Sequence, residues 1–405
     1  MSIASEISRL QGAKASIKDA IEAKGVTVLS SVKLDGYPAY ISQISGGGGQ
    51  FTVPDGLKFA YSSFSELPPI LQNASWGTVS DMRCCFDYCF SITSISLSGL
   101  SNVTTMAYCF SSCSAISSIT LSGLSKVANM SYCFCNCSQL PSINLTGLSE
   151  VTDMQACFQY CFSISEITLQ DLKVVNNMSA CFSNCTSLTS ITLSGLSNVS
   201  TMQQCFYGCS SLESITLTEL GTLTHMGNCF YYCQNITSIT LSGLTNVSNM
   251  SSAFMQCNNL TSITLPELTN VTVINACFSS CSSLSIITLS GLRNVANMNG
   301  CFSSCTSLTS ITLSGLSKVT NMSYCFNNCT SLENLVVDSW GTVITNLTSW
   351  GISYCTKLTH ESLLNLINAL YTTTISRTCT IGTTNLAKLT AEEIAIATAK
   401  KWNLN

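Results

Sequence analysis

Residues 188–209 read LTSITLSGLSNVSTMQQCFYGC. The apolar skeleton of this stretch is Leu188, Ile191, Leu193, Leu196, Val199, Met202, Phe206 and Cys209. Ile191-x-Leu193 alternates, which is the period of a strand with one buried face. The three- and four-residue spacings around Met202 and Phe206 suit a helical or 3₁₀ turn. Gly195 follows the strand and permits a sharp bend. One such unit cannot bury its skeleton alone. Stacked copies can, because each apolar position then touches its own copy above and below.

The copies are present. Phe86 opens a column of Phe spaced by 24 residues that runs to Phe326. Met82 opens a parallel column that ends at Met322, with Ile274 as its one substitute. Ile95 opens a column of ten Ile, and Leu97 and Leu100 open columns of ten Leu each. Eleven copies thus occupy about residues 82–345. They predict a single solenoid of 24-residue coils, with one parallel β-sheet and helical or 3₁₀ turns. Coils rising about 4.8 Å each would make a rod roughly 50 Å long. Such a rod needs caps at its ends. Residues 51–81 are read as the N-terminal cap, where Trp76 and Val79 keep half the pattern. Beyond Leu332, Leu335, Val337, Trp340 and Val343, two extra residues throw Cys355 and Leu358 out of phase. Residues 346–405 are therefore read as an α/β C-terminal cap. Its expected elements are a helix over 361–371 and a second helix behind the capping box Thr390-x-x-Glu393.

The recurring L-x-x-I-x-L followed by M-x-x-x-F-x-x-C resembles the BspA-type leucine-rich repeat of bacterial surface proteins. This chain departs in placing Cys before Phe, as at Cys181. The resemblance covers about two thirds of the chain and implies a right-handed solenoid with an adhesive or recognition role, without catalysis. Two further stretches, Ile7 to Val28 and Thr384 to Leu404, resemble modules of virion and tail proteins from phages of gut bacteria. They imply a virion appendage or tail-associated adhesin, assembled in the host cytoplasm and binding a host-surface glycan or protein. The alternative is a bacterial surface or protein-interaction protein of the BspA type, located at the cell surface.

In this reading, residues 1–45 form a small helical attachment module that docks on other virion or tail proteins. Ile7, Leu10, Ala13, Ile17 and Ile21 share one helical face. A self-associating bundle, hence a homo-oligomer, is the alternative use of that face, although Lys14 interrupts a strict heptad. Residues 46–50 form a Gly-rich linker.

Only 9% of the 405 residues are charged, and the net charge is −4. A nucleic-acid partner is excluded, because phosphate binding needs a dense Lys/Arg stripe. No stretch reaches the ~18 apolar residues of a membrane span. The opening MSIASEISRL is not read as a secretory signal.

The 25 Cys fall mainly in two columns four residues apart. The first, from Cys85 to Cys325, is interrupted by Ala253, and the second, from Cys89 to Cys329, is unbroken. A zinc ladder would want convergent thiolates, often with His, and only His225 and His360 are available. A disulfide ladder would need oxidation and suitable Cβ directions. Buried free thiols packing as small apolar groups are the favoured reading. No cofactor or metal is expected. Catalysis is not expected either: Asp171, Glu219 and Glu267 replace a turn Gly, but no partner base is visible. Thr120, Thr168 and their repeats form a hydroxyl ladder that suits a solvated strand face better than ice binding.

The remaining feature is aromatic. Positions just after Phe are mostly Ser, Asn or Gln, but become Tyr160, Tyr207, Tyr231, Tyr232 and Met255 in mid-repeat. These are the candidate ligand-binding residues, with ordinary edge packing as the competing account.

The cysteine columns yield a direct expectation. Thiol counting on native protein without reductant should label few Cys, whereas unfolding without reductant should expose nearly all. Full native labelling, or none after unfolding, would contradict buried free thiols.

Overall fold

The computed structural model describes residues 52–338, apart from 54, 64, 68, 266 and 267, and residues 349–405, together with 15, 18, 19 and 22. Ala15, Lys18, Asp19 and Glu22 are helical. The rest of the attachment module and the linker 46–50 lie outside the described residues. The chain divides into two compact units, Met1–Gly195 and Leu196–Asn405.

In the first unit, a short helix α1 (Pro69–Gln72) precedes strands β1 (Ser94–Leu97), β2 (Ser118–Leu121), β3 (Glu166–Leu169) and β4 (Ser190–Leu193). The second unit carries β5 (Ser214–Leu217), β6 (Ser238–Leu241), β7 (Ser262–Leu265), β8 (Ile286–Leu289), β9 (Ser310–Leu313) and β10 (Asn334–Val337). All pairings are parallel and in the register of the repeat, as in Ile95↔Ile119 and Ile215↔Ile239. Ile and Leu point inward, while Ser and Thr face solvent. This confirms a leucine-rich-repeat fold with parallel strands and few helices.

The expectation of one continuous sheet does not hold. The ladders are β1–β2 and β3–β4 in the first unit, and β5–β6 and β7 to β10 in the second. Ile191 and Ile215 therefore belong to different sheets, one in each unit. Between β2 and β3 the cause is chemical. The residue two before each inward Ile normally donates its N–H to the preceding coil, as Ser117 does to Thr93 O and Thr189 to Ser165 O. At that position stands Pro141, which accepts from Ser165 N but has no N–H to give. Its coil keeps a single bridge, Asn144↔Thr168.

The Met–Phe segment also differs from expectation. It is a run of three consecutive tight turns, not a helical turn. Cys85 N donates back to Met82 O, Asp87 N to Cys84 O and Cys89 N to Phe86 O. The alternate groups, Met82, Cys84, Phe86 and Tyr88 N–H, donate instead to Thr105, Ala107, Cys109 and Ser111 O of the next coil. A helix would need those same N–H groups for its own carbonyls four residues back. Turns of 3₁₀ type do occur, at Leu244–Asn246 and Leu292–Asn294, after the strand.

Two residues of each Met–Phe segment are left-handed, two before and two after Phe. Ala180 (φ 54°) and Asn184 (φ 61°) flank Phe182 in this way. This backbone costs about 1–2 kcal/mol for a non-glycine residue. Gly300 and Gly208 occupy such positions in other coils.

The core is a set of side-chain ladders. Phe86, Phe110, Phe134, Phe158 and Phe182 stack at 5.3–5.5 Å between ring centroids. Phe206 to Phe326 repeat this at 5.3–5.7 Å in the second unit. Cysteines of the second column do more than fill space. Cys113 Sγ donates to Phe86 O at 3.1 Å, Cys137 to Phe110 O at 3.2 Å and Cys161 to Phe134 O at 3.1 Å. Each Phe carbonyl thus bonds its own coil's Cys N–H and the next coil's thiol, leaving little buried acceptor capacity unmet.

The coil pattern extends past its expected bounds. Phe59 stacks on Phe86 at 5.3 Å, and Phe59 N and Tyr61 N donate to Cys85 O and Asp87 O. At the other end Cys355 Sγ donates to Phe326 O, and Leu358 N bonds Cys355 O as Leu332 N bonds Cys329 O. The two extra residues are absorbed upstream of Cys355, so Cys355 and Leu358 occupy ordinary coil positions. Helix α2 (His360–Ala369) then lies against β10. Ser362 Oγ accepts from Leu335 N and donates to Leu335 O, while Asn365 Oδ1 accepts from Val337 N. Strand β11 (Arg377–Cys379), helices α3 (Thr383–Leu386) and α4 (Ala391–Ala399) and strand β12 (Trp402–Leu404) follow. The capping box of Thr390 and Glu393 is formed, and Glu393 also meets His360 at 2.8 Å.

Truncating the Phe ladder should be the costliest single change. Phe158→Ala should destabilise by about 3–5 kcal/mol. Cys157→Ala, in the column that tolerates Ala253, should cost about 1 kcal/mol or less. Urea unfolding checks both, and equal losses would remove the ladder from its leading role.

Candidate functional site

The Met–Phe segment places the candidate residues. Its inward side chains are Met202, Cys205, Phe206 and Cys209, all buried. Its outward side chains leave from the turn apices and from the position after Phe. Tyr207 and Tyr231 occupy that last position in successive coils, and their rings stack at 5.0 Å with planes 4° apart. Tyr232, left-handed at φ 66°, sits beside Tyr231 at 6.2 Å and is 42% exposed. Met255 follows Tyr231 in the same column, is half-buried, and accepts the Tyr232 N–H through its carbonyl. The second unit therefore gathers Tyr207, Tyr231, Tyr232 and Met255. Tyr160 belongs to the first unit, where it lies 6.0 Å from Phe162.

Other aromatic positions escaped the sequence reading. In the first unit Tyr61 stacks on Tyr88 at 4.9 Å, and Tyr108 on Tyr132 at 4.6 Å. Phe90 meets Tyr88 edge-on at 5.6 Å. Tyr108 and Tyr132 hold the 24-residue spacing two positions before Phe, so a search of that column would have found them. Tyr61 lies 27 residues before Tyr88, outside the period, and had no such signal. Tyr61, Tyr88, Tyr108, Tyr132, Tyr160 and Tyr232 all adopt the left-handed backbone. Every coil is left-handed at these positions, so the backbone there is set by the repeat and accepts Tyr as it accepts Ala180 or Asn184 elsewhere.

The strand face offers a second kind of surface. In the first unit a cleft of about 610 Å³ opens where Pro141 interrupts the ladder. It is lined by Asn144, Glu166, Thr168, Gln170 and Asp171, among others. Asp171 replaces the turn Gly at φ 60° and pairs with Lys173 at 3.3 Å. Glu219 does the same replacement at φ 62°, and Glu267 lies outside the described residues. Among the described residues no group of His, Cys, Asp or Glu is arranged to hold a metal ion. No helix among them is long and apolar enough to cross a membrane.

The thiols are free, and all but Cys84 and Cys135 are buried. Burial pushes the Cys85 thiol from 9.0 up to about 12. It raises Cys109, Cys133 and Cys157 as well. The half-buried Cys135 rises to about 11, by burial first and then by the Asp87 charge. Raised thiols are protonated and unreactive at neutral pH.

Two family models match the chain. One, described as BspA type Leucine rich repeat region (6 copies), matches residues 130–225. The other, described as Mycoplasma protein of unknown function, DUF285, matches residues 57–167 and 248–360. Solved structures with a likeness include a leucine-rich repeat protein from Bacteroides ovatus, 24% identical, covering 64% of this chain and 76% of that one, with TM-score 0.39. A leucine rich cell surface protein from Faecalibacterium prausnitzii is 21% identical, with 67% and 80% covered and TM-score 0.41. A leucine-rich repeat protein from Eubacterium ventriosum is 19% identical, with 77% and 84% covered and TM-score 0.42. No curated protein matches. The resemblance of residues 7–28 and 384–404 to virion and tail modules gains no support from these matches.

The thiols set the alkaline behaviour. An unfolded thiol ionises near 9, whereas the folded Cys85 holds its proton to about 12. The unfolded chain therefore binds fewer protons in that window, and stability falls as pH rises. The melting temperature should be flat up to about pH 9 and drop steadily from there toward pH 12. A flat profile to pH 11 would contradict buried, protonated columns.

Proposed function

The chain belongs to the family described as Mycoplasma protein of unknown function, DUF285, and carries BspA-type leucine-rich repeats; on that premise we propose a non-enzymatic recognition protein that binds its partner through the repeat coils. The place of action is the bacterial cell surface, and the partner is a surface protein or glycan. The observation that carries this is the gathering of Tyr207, Tyr231 and Tyr232 on the outward side of the Met–Phe turns. These rings lie outside the Phe, Met, Ile and Leu ladders, so the fold does not need them. Aromatic side chains bury much area for little lost entropy, which suits them as anchors. Departures from the repeat consensus are where recognition can be added to a solenoid without harming its core.

Two features support binding without catalysis. Few residues are charged, and the carboxylates Asp171 and Glu219 stand at turn positions. A virion or tail-associated adhesin is the alternative reading, with the virion in place of the cell surface. It rests on the resemblance of residues 7–28 and 384–404, with residues 1–45 as the attachment to virion proteins. Mass spectrometry of purified particles from a producing host would decide it.

The test of recognition is adsorption of the purified protein to candidate cells, comparing wild type with Tyr207→Ala/Tyr231→Ala/Tyr232→Ala. The folded triple variant should lose most binding. Wild-type binding should change little between about 50 mM and about 500 mM salt, because few charges are available. Unchanged binding by the triple variant would remove this site, and strong salt dependence would point to a charged contact elsewhere.

A further inference from the structure

The first coils of the first unit hold a second aromatic surface with a different layout. Tyr88 stands two positions after Phe86, and Tyr108 two positions before Phe110 in the next coil. The two coils are joined directly: Cys84 N donates to Ala107 O and Tyr88 N to Ser111 O. The position after Phe, which is Tyr at 207 and 231 in the second unit, is here Asp87, Ser111 and Cys135. Asp87 and Ser111 are only 5% and 7% exposed. The Tyr pairs thus flank a low polar strip, and the electrostatic neighbours of Tyr108 include Cys84, Cys135 and Asp87 as well as Tyr132.

Each stack also stops abruptly. Tyr108 and Tyr132 are 4.6 Å apart and 4° from parallel, and their column continues into Cys84 on one side and Ala156 on the other. Tyr88 ends its stack at 4.9 Å from Tyr61, and Ser112 follows in its column. A small residue where the ladder would place a ring leaves a step one coil high beside an aromatic face. A flat ring continuing the stack would occupy that step at the spacing the Tyr rings already keep. Polar groups sit at its rim: Gln155 Nε2 donates to the Tyr132 hydroxyl at 3.3 Å.

We propose that this surface, centred on Tyr108 and Tyr132 with Tyr88 beside them, is a second binding site, and that its ligand is a neutral pyranose. The proposal rests on reading the outward side of the Met–Phe turns as the recognition surface. A sugar ring offers an apolar C–H face to the aromatic ring and hydroxyls to the amide and phenol groups at the rim. Nucleobases are disfavoured, since their phosphates need a basic groove. Here Arg83 is already held by Asp81 at 2.7 Å.

The experiment is titration of the full chain with a panel of neutral oligosaccharides, followed by calorimetry and by saturation-transfer NMR. Two variants are compared with wild type: Tyr108→Ser/Tyr132→Ser and Tyr132→Phe. Native thiol protection serves as the folding control. The double serine variant should lose affinity about tenfold or more, from two lost stacking contacts. Tyr132→Phe keeps the ring and should stay within about threefold. Saccharide binding that survives in the double serine variant overturns the proposal. So does a wild type that adsorbs to cells but binds no saccharide, which leaves the general recognition reading standing. A wild type that binds neither cells nor saccharides overturns both. A Tyr132→Phe loss as large as that of the double variant overturns ring stacking as the basis of binding.

Discussion

Every coil must present the same group at the same height to the coil above and below, and the Phe column is where this constraint is tightest. Ring centroids recur at 5.3–5.7 Å within each unit. The backbone beneath them is committed in two directions at once, with alternate N–H groups turned back into the coil and forward to the next. That division forces two left-handed residues per segment. It also leaves the Phe carbonyl with spare acceptor capacity in a dry interior, where an unmet acceptor is costly. A Cys thiol one coil later fills that need. Serine could donate too, but its hydroxyl is harder to bury among aromatic and aliphatic rings. The unbroken second cysteine column and the interrupted first one follow from this difference in duty.

The same arrangement separates stability from recognition. Side chains pointing inward from the Met–Phe segment form the ladders. Those leaving its apices contact one another outside the ladders, so they are free to vary. Where they are Ser, Asn or Gln, the surface is a plain polar one. Where they are Tyr, the coil rise itself stacks them. Recognition on such a surface inherits the repeat distance of the core, and a ligand ring that continues a Tyr column meets geometry already set by the Phe beneath. The strand face is governed by other groups. There the N–H that Pro141 lacks leaves its coil without the donor that other coils give to the one before.

The columns of Phe, Met, Ile and Leu made the coil length, the number of copies and the inward faces legible, because burial demands the same residue type at the same phase. The pairing of Ile95 with Ile119, and of each later pair, follows from that phase. The burial of both cysteine columns was legible for the same reason, and so was the capping box at Thr390, whose partner lies three residues away. The candidate site was legible only in part. Tyr207, Tyr231 and Tyr232 announced themselves as breaks in a polar column. Tyr108 and Tyr132 stand in a column of mixed residues, with Cys84 before them and Ala156 after, and Tyr61 lies outside the period altogether.

What the sequence determined by itself is therefore the repeat: its length, its buried faces and its parallel register, each a consequence of periodic burial. What only the tertiary structure decided depends on where individual N–H groups go. Spacing of three and four residues is shared by a helix and by consecutive turns, and the choice fell to turns because the next coil claims every second donor. Whether strands join into one sheet rests on single donors such as the one Pro141 lacks. The joining of Phe59 and Cys355 to the coils depends on loops that absorb extra residues without disturbing the ladder. Ring stacking among the tyrosines belongs to the same class, since it arises between coils and leaves its trace in no single one of them.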